Sequence, residues 1–350
     1  MTFRIVLLGA ATALATFTTA LASAQELAPQ PPQQPPPAPP SVSSPCGGQS
    51  PADAWWTGPM LANSANTLPR GHLLLEPYIY DVTTQGSYDR AGVRHSAPRA
   101  HGFGSLTYAL YGLTDRVAVG LIPTAGFNAV SGGPNSSGVG LGDAGLLTQV
   151  RLTHNRPCSH MPTISVAVQE TFPTGHYDRL GDRPSDGFGS GAYTTAVSIY
   201  SQKYFWMPNG RIVRMRLNFS QAFSNTVDVE GVSVYGTDAG FRGHATPGSS
   251  SFIDAAWEYS LTRRWVLALD ATYRHARNTR AIGIDRLGGG AGTPSGIVLD
   301  SGSSDAFGLA PAIEYSWTPN IGVLLGVRAM VAGRNASTTV TPAIAINFVR

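Results

Sequence analysis

Cysteine is nearly absent: Cys46 and Cys158 are the only two in 350 residues, and no Cys/His spacing of a zinc site occurs. Charge is sparse as well, at 13% of residues, with a net charge of +3 and a pI near 8.9. That balance is too mild to point to nucleic acid. Beyond the first two dozen residues no apolar run is long enough for a membrane-spanning helix. Neither a G-x-S-x-G elbow nor an H-E-x-x-H pair is present, and Gly138-Val139-Gly140-Leu141-Gly142 lacks the strand-turn-helix context of a dinucleotide site. Asp178, Asp182 and Asp186 miss the EF-hand spacing and read as solvated loop acids. Thus no enzyme, no cofactor and no metal is expected.

What is present is 42% hydrophobic residues, 40 glycines and a mean hydropathy of −0.03. A disordered chain would be poorer in apolar residues and a helical membrane bundle richer. A closed barrel whose strands alternate apolar and polar residues averages to neutral hydropathy. A soluble secreted β-protein would share that composition, so the order of residues has to decide.

Residues 1–24 read as a secretory signal: Arg4, an apolar run over 5–17, and the small residues Leu21-Ala22-Ser23-Ala24 before Gln25. With Gln rather than Cys after the cut, no lipid anchor is expected. Residues 25–70 form a Pro-rich periplasmic segment; its densest part, 29–40, suits an extended polyproline spacer that could serve a periplasmic partner. Residues 71–350 carry the barrel pattern.

Within 71–350, segments with a period of two predict strands near 72–82, 104–113, 116–125, 142–153, 162–173, 190–202, 211–223, 251–261, 264–275, 304–317, 320–332 and 338–349. Short turns such as Leu113-Thr114-Asp115-Arg116, Thr262-Arg263 and Thr318-Pro319-Asn320 alternate with long Gly/Ser/Asp-rich loops near 83–103, 126–141, 174–189, 224–250 and 276–303. This is the pattern of an all-β, antiparallel up-and-down transmembrane barrel of about twelve strands, in outer-membrane lipid, with both termini periplasmic.

Parity then assigns faces. Trp265, Leu267, Leu269, Ala271 and Tyr273 oppose Ala268, Asp270, Thr272 and Arg274; Val213, Met215, Leu217 and Phe219 oppose Arg214, Arg216, Asn218 and Ser220. An Arg facing mid-membrane lipid costs about 2–4 kcal/mol, so the apolar sets face out. Tyr111, Trp206, Trp257, Tyr259, Trp265, Tyr315, Trp317 and Phe348 fall near the short turns, as an interfacial girdle would. Glu170 sits on the apolar parity of Ile164, Val166 and Val168, which requires either a bulge near Gln169 or a position above the hydrocarbon.

The inward set collects Glu76, Asp254, Glu258, Asp270 and Glu314 with Arg151, Arg214, Arg216, Arg274 and Arg328. Buried charges must pair or face water. They form either a salt-bridge network that fills the barrel or a polar constriction that selects solutes. Cys46 and the turn residue Cys158 share an oxidising compartment and could be bonded.

The runs Leu68-Pro69-Arg70-Gly71-His72, Glu76-Pro77-Tyr78, Tyr111-Gly112-Leu113-Thr114-Asp115-Arg116-Val117, Gly140-Leu141-Gly142-Asp143 and Phe172-Pro173-Thr174-Gly175 resemble the outer-membrane transporters called the "MetA-pathway of phenol degradation" family. That resemblance spans about 70–350 and implies a channel or facilitator for small organic solutes, often aromatic or hydrophobic. It supplies no catalytic residues. The chain departs from many such barrels by ending Phe348-Val349-Arg350 rather than on an aromatic. A structural barrel with a plugged lumen and an anchoring Pro-rich arm is the rival reading.

Overall fold

The computed structural model describes residues 50–155, 160–286 and 295–350. The expected signal segment 1–24, the spacer 29–40 and the cysteine pair Cys46 and Cys158 lie outside the described residues.

Among the described residues eighteen strands follow in chain order: β1 (Leu73–Tyr88), β2 (Arg94–Thr114), β3 (Val117–Ile122), β4 (Thr124–Val130), β5 (Gly140–Leu141), β6 (Ala144–Arg151), β7 (Thr163–Phe172), β8 (Thr194–Trp206), β9 (Ile212–Ser224), β10 (Val227–Glu230), β11 (Phe241–Thr246), β12 (Ser250–Ser260), β13 (Trp265–Ala276), β14 (Arg280–Asp285), β15 (Ser295–Asp300), β16 (Ser304–Thr318), β17 (Ile321–Arg334) and β18 (Ala336–Val349). Pro123 divides one stave into β3 and β4, and Gly142-Asp143 divides the next into β5 and β6. Counted as staves, the wall is a closed antiparallel barrel of twelve, sealed where β1 pairs with β18 from Leu74–Val349 to Tyr88–Ala336.

Each expected strand has its counterpart. The length of the first two does not: β1 and β2 continue through most of the stretch expected as a loop at 83–103, because a barrel hairpin can go on pairing in water after its alternation has given way to polar residues. The expected loops 224–250 and 276–303 also contain structure. Their four short strands form a separate sheet in the order β10-β11-β14-β15, with Val227, Val229, Phe241, Ala245 and Ala281 buried on one face.

The outward belt follows the two-residue period. Trp265, Leu267 and Leu269 are exposed while Val266, Ala268 and Asp270 are buried; Leu217 and Phe219 are exposed while Arg214, Arg216 and Asn218 are buried. A closed barrel wearing a continuous apolar belt, with its polar alternates inside, is a membrane-spanning wall. Trp265, Tyr315 and Trp317 pack in series at the short-turn rim, the first pair tilted and the second edge to face, with ring centroids 4.6 and 5.4 Å apart. Glu170 faces outward with no register shift on either side. It lies one pair below the last rung of β7 and β8, where Thr195 Oγ1 donates to it at 2.6 Å, so the rim position is the one realised.

Candidate functional site

The stretch 54–69, part of the segment 25–70 expected to stand in the periplasm, runs inside the barrel as a loop. It enters over the β12–β13 turn, where Trp55 N donates to Arg263 O at 2.8 Å and its ring lies under the Arg263 and Arg264 guanidinium groups. It leaves beside the β2–β3 turn, where Thr67 Oγ1 donates to Asp115 O at 2.8 Å and Arg70 N to Asp115 Oδ1 at 3.0 Å.

Between those points the inward carboxyl groups grip its backbone. Glu314 Oε2 accepts from Thr57 N (2.8 Å), Thr57 Oγ1 (2.9 Å) and Gly58 N (3.0 Å). Asp270 accepts from Met60 N and Ala62 N, both at 3.0 Å. On the return limb Asn218 Nδ2 donates to Asn63 O (2.9 Å), Gln149 Nε2 to Ser64 O (2.9 Å) and Ser165 Oγ to Ala65 O. A loop without a sheet partner thereby satisfies its buried backbone groups, as it must. Gly58, at φ +121°, makes the kink beneath Arg216 that a side-chain-bearing residue would resist.

The arginines complete this grip. Arg214 Nε donates to Glu258 Oε2 at 2.6 Å while its Nη2 donates to Oε1, and its guanidinium lies 4.5 Å from the Trp56 ring centroid. Arg216 pairs with Glu258 at 3.1 Å and donates from Nη1 to Ala62 O at 2.6 Å. Glu258 is wholly buried, so this pairing is what makes its charge tolerable. The structure thus brings Arg214, Arg216, Glu258, Asp270 and Glu314 together around the loop. Glu76 stands across the lumen with Asn347 Nδ2 at 3.3 Å. Asp254 and Arg328 lie farther towards the long loops. Arg151 ends β6 at the short-turn rim and Arg274 lies near the long-loop end of β13, both outside the group that holds the loop.

The opposite wall, β1 to β6, is chemically different. Leu74, Tyr78, Tyr80 and Val82 face inward from β1, with Leu106, Tyr108 and Leu110 from β2. Two cavities lie along it. A vestibule of ≈ 540 Å³ at the long-loop end is lined by Tyr80, Val82, Gly104, Gly126, Asn128 and Phe188. A cavity of ≈ 290 Å³ at the short-turn end is lined by the lumenal loop, Leu74, Tyr78, Tyr108 and Leu147. Between them Tyr78 and Tyr108 meet edge to face at 6.1 Å, and Met60 of the loop belongs to the same packed cluster. These three side chains form a septum. Sequence analysis assigned no role to Tyr78 or Tyr108, and the lumenal loop has no period that would reveal it.

Four of the short runs quoted above converge in pairs. At the short-turn rim Gly71 N donates to Gly112 O (2.8 Å) and Gly112 N to His72 O (2.9 Å), beside the Asp115 contacts. At the other rim Thr174 Oγ1 donates to Gly142 O (2.8 Å), and Asp143 accepts from Gly175 N (3.0 Å), Ser190 N (2.7 Å) and Ser190 Oγ (2.8 Å). The second knot folds residues 173–193 across the mouth, where Ser185 O accepts from Asn128 Nδ2 at 2.9 Å.

No protein-family model matches the sequence, and no curated protein matches it. Among solved structures, the fold is similar to the COG4313 outer membrane channel from Pseudomonas putida F1, with a TM-score of 0.62 and 15% identity over 83% of this chain and 100% of that one. More distant are the NanC porin (TM-score 0.42, 10% identity, 79% of this chain and 98% of that one) and a mutant of the TodX monoaromatic hydrocarbon channel (0.38, 12%, 88% and 98%). The first of these is a likeness of fold.

Proposed function

We propose that this chain is a passive channel of the bacterial outer membrane for small uncharged organic solutes, aromatic ones included, with the long loops outside and the short turns in the periplasm. The observation that carries this reading is the division of labour across the lumen. Arg214, Arg216, Glu258, Asp270 and Glu314, on β9 to β16, are spent on holding the internal loop, whereas the opposite wall presents tyrosines, leucines and glycines along two cavities parted by one septum. Apolar lining with a few polar groups is the chemistry of a site for a small organic molecule. The arginines then act as anchors for the loop, and solute selection passes to Tyr78, Tyr80 and Tyr108. The likeness of fold to an outer membrane channel agrees with this reading.

The rival reading, a structural barrel anchored by a Pro-rich arm, draws support from the filled lumen. Planar-bilayer conductance and liposome permeability to phenol separate the two. The native protein should conduct weakly, a variant lacking 54–66 strongly, and Met60→Ala should raise phenol flux by thinning the septum. A folded deletion variant that passes neither ions nor phenol would reject the channel.

A further inference from the structure

The outer face of the wall carries a polar row at its long-loop end. Gln221, Ser251, His275, Asp305 and Arg334 are direct cross-strand neighbours on β9, β12, β13, β16 and β17, on the face that turns away from the lumen. Arg334 belongs to this row because of a bulge. Leu309 pairs with Ala329 but Phe307 with Ala332, so β17 holds one residue more than β16 at Val331, and the shift turns Arg334 from the lumenal face to the outer one.

The row is bonded along its length. Ser251 Oγ donates to Gln221 Oε1 at 2.5 Å, and Asp305 Oδ1 accepts from Tyr273 OH at 2.7 Å and from His275 Nδ1 at 2.9 Å. Over its high end leans the β1–β2 turn: Asn335 N donates to Asp89 O at 2.9 Å, and Arg90 Nη2 stands 3.9 Å from where a Cβ on Gly302 would lie. Arg90 and Arg334 are both exposed, and among the described residues neither forms an ion pair. The row directly beneath is Phe219, Ile253, Tyr273 and Phe307, with Phe219, Ile253 and Phe307 exposed and the Tyr273 and Phe307 rings 4.7 Å apart. Apolar side chains below and hydroxyl, amide, imidazole and guanidinium groups above suit a molecule with acyl chains at one end and an anionic, hydroxyl-rich head at the other.

We propose that this row is a binding site for the phosphorylated, acylated disaccharide of the outer leaflet, with a phosphate held by Arg90 and Arg334 and sugar hydroxyl and amide groups along His275, Ser251 and Gln221. Charge selects the anion. Asp305 already accepts from two side chains, whereas both arginines are unpaired and a guanidinium matches the geometry of a phosphate. Width selects the lipid. Four strand spacings make the row roughly 19 Å long, the span of a disaccharide with several chains rather than of one two-chain phospholipid. The proposal takes from the channel reading only its orientation, with the long loops outside; it does not need the lumen to conduct.

The test adds bisphosphorylated lipid A, fully dephosphorylated lipid A or phosphatidylglycerol to the full-length protein in detergent and reads bound lipid by native mass spectrometry. The parent should retain the bisphosphorylated form best. The double variant Arg90→Ala, Arg334→Ala should retain it about tenfold less, the factor expected for loss of a hydrogen bond to a charged group; unchanged heat-modifiable mobility shows that the variant has folded. Equal retention by parent and variant, or retention of either other lipid as strong as that of the bisphosphorylated form, would overturn the site. Orientation has its own readout: in a Cys46→Ser, Cys158→Ser background, Arg90→Cys should react with a membrane-impermeant maleimide on intact cells. Absence of that reaction would overturn the orientation and the site together, whereas absent conductance with the lipid still retained would overturn the channel alone.

Discussion

Replacing Asp270 by alanine should unlatch the lumenal loop. In the native protein the two carboxyl oxygens accept from Met60 N and Ala62 N at the loop's crest, and the side chain is wholly buried. Alanine leaves both N–H groups without that acceptor. A buried donor deprived of its partner costs about 1–3 kcal/mol, so the docked loop should lose about 2–6 kcal/mol, a factor of about thirty to about twenty thousand in its docking equilibrium. The loop stays tethered at Arg263 and Asp115, so the loss falls on docking rather than on the wall. Ala62→Cys, in a background with Cys46→Ser and Cys158→Ser, places a thiol where the native side chain is buried. A water-soluble maleimide should modify it slowly in the parent and faster in the Asp270→Ala protein by up to the same factor, since labelling of a protected site follows its opening equilibrium. Equal labelling rates in the two folded proteins would refute the assignment of Asp270 as the latch.

Three further outcomes follow from the same geometry. Arg214→Ala removes the bidentate partner of buried Glu258 and should destabilise the barrel by about 3–5 kcal/mol, read from the denaturant midpoint of the heat-modifiable band in detergent. Gly112→Ala would bring a Cβ to 2.1 Å from Pro69 O, a backbone atom that cannot swing aside, and should lower the yield of folded barrel. In the loop sheet, the Arg179 hydrogen bond at 2.6 Å holds the Glu230 carboxyl below its ordinary range, with Arg242 on its other oxygen. A depressed folded-state value contributes stability above the unfolded value, near 4.3, and loses it as the pH falls through the folded one. Hydrogen-exchange protection of Phe241–Thr246 should therefore hold at neutral pH and fall once the pH drops below about 4; protection unchanged at pH ~3 would argue against the clamp.

The wall was legible because lipid imposes a rule that every rung must obey. Leu217 and Arg216 cannot exchange faces, so two-residue parity located the staves and their inward residues. The extensions of β1 and β2 obey no such rule, since above the hydrocarbon both faces meet water. The four strands of the loop sheet run only four to six residues each, too short for a period to register. The lumenal loop was hidden for a different reason. Its contacts are largely main-chain N–H and C=O groups against side chains from distant strands, and a backbone group carries no residue-type signature. The inward carboxyl groups are matched in number by inward arginines, so nothing in the sequence shows that Asp270 and Glu314 take peptide N–H donors from the loop instead.

Both limbs of the lumenal loop cross the same rim, one over Arg263 and the other beside Asp115. A segment so placed is a bight, like a rope pushed into a pipe at its middle. It can be drawn out and returned without any chain end being threaded, so an upstream extension too bulky to pass the bore would not hinder the exchange.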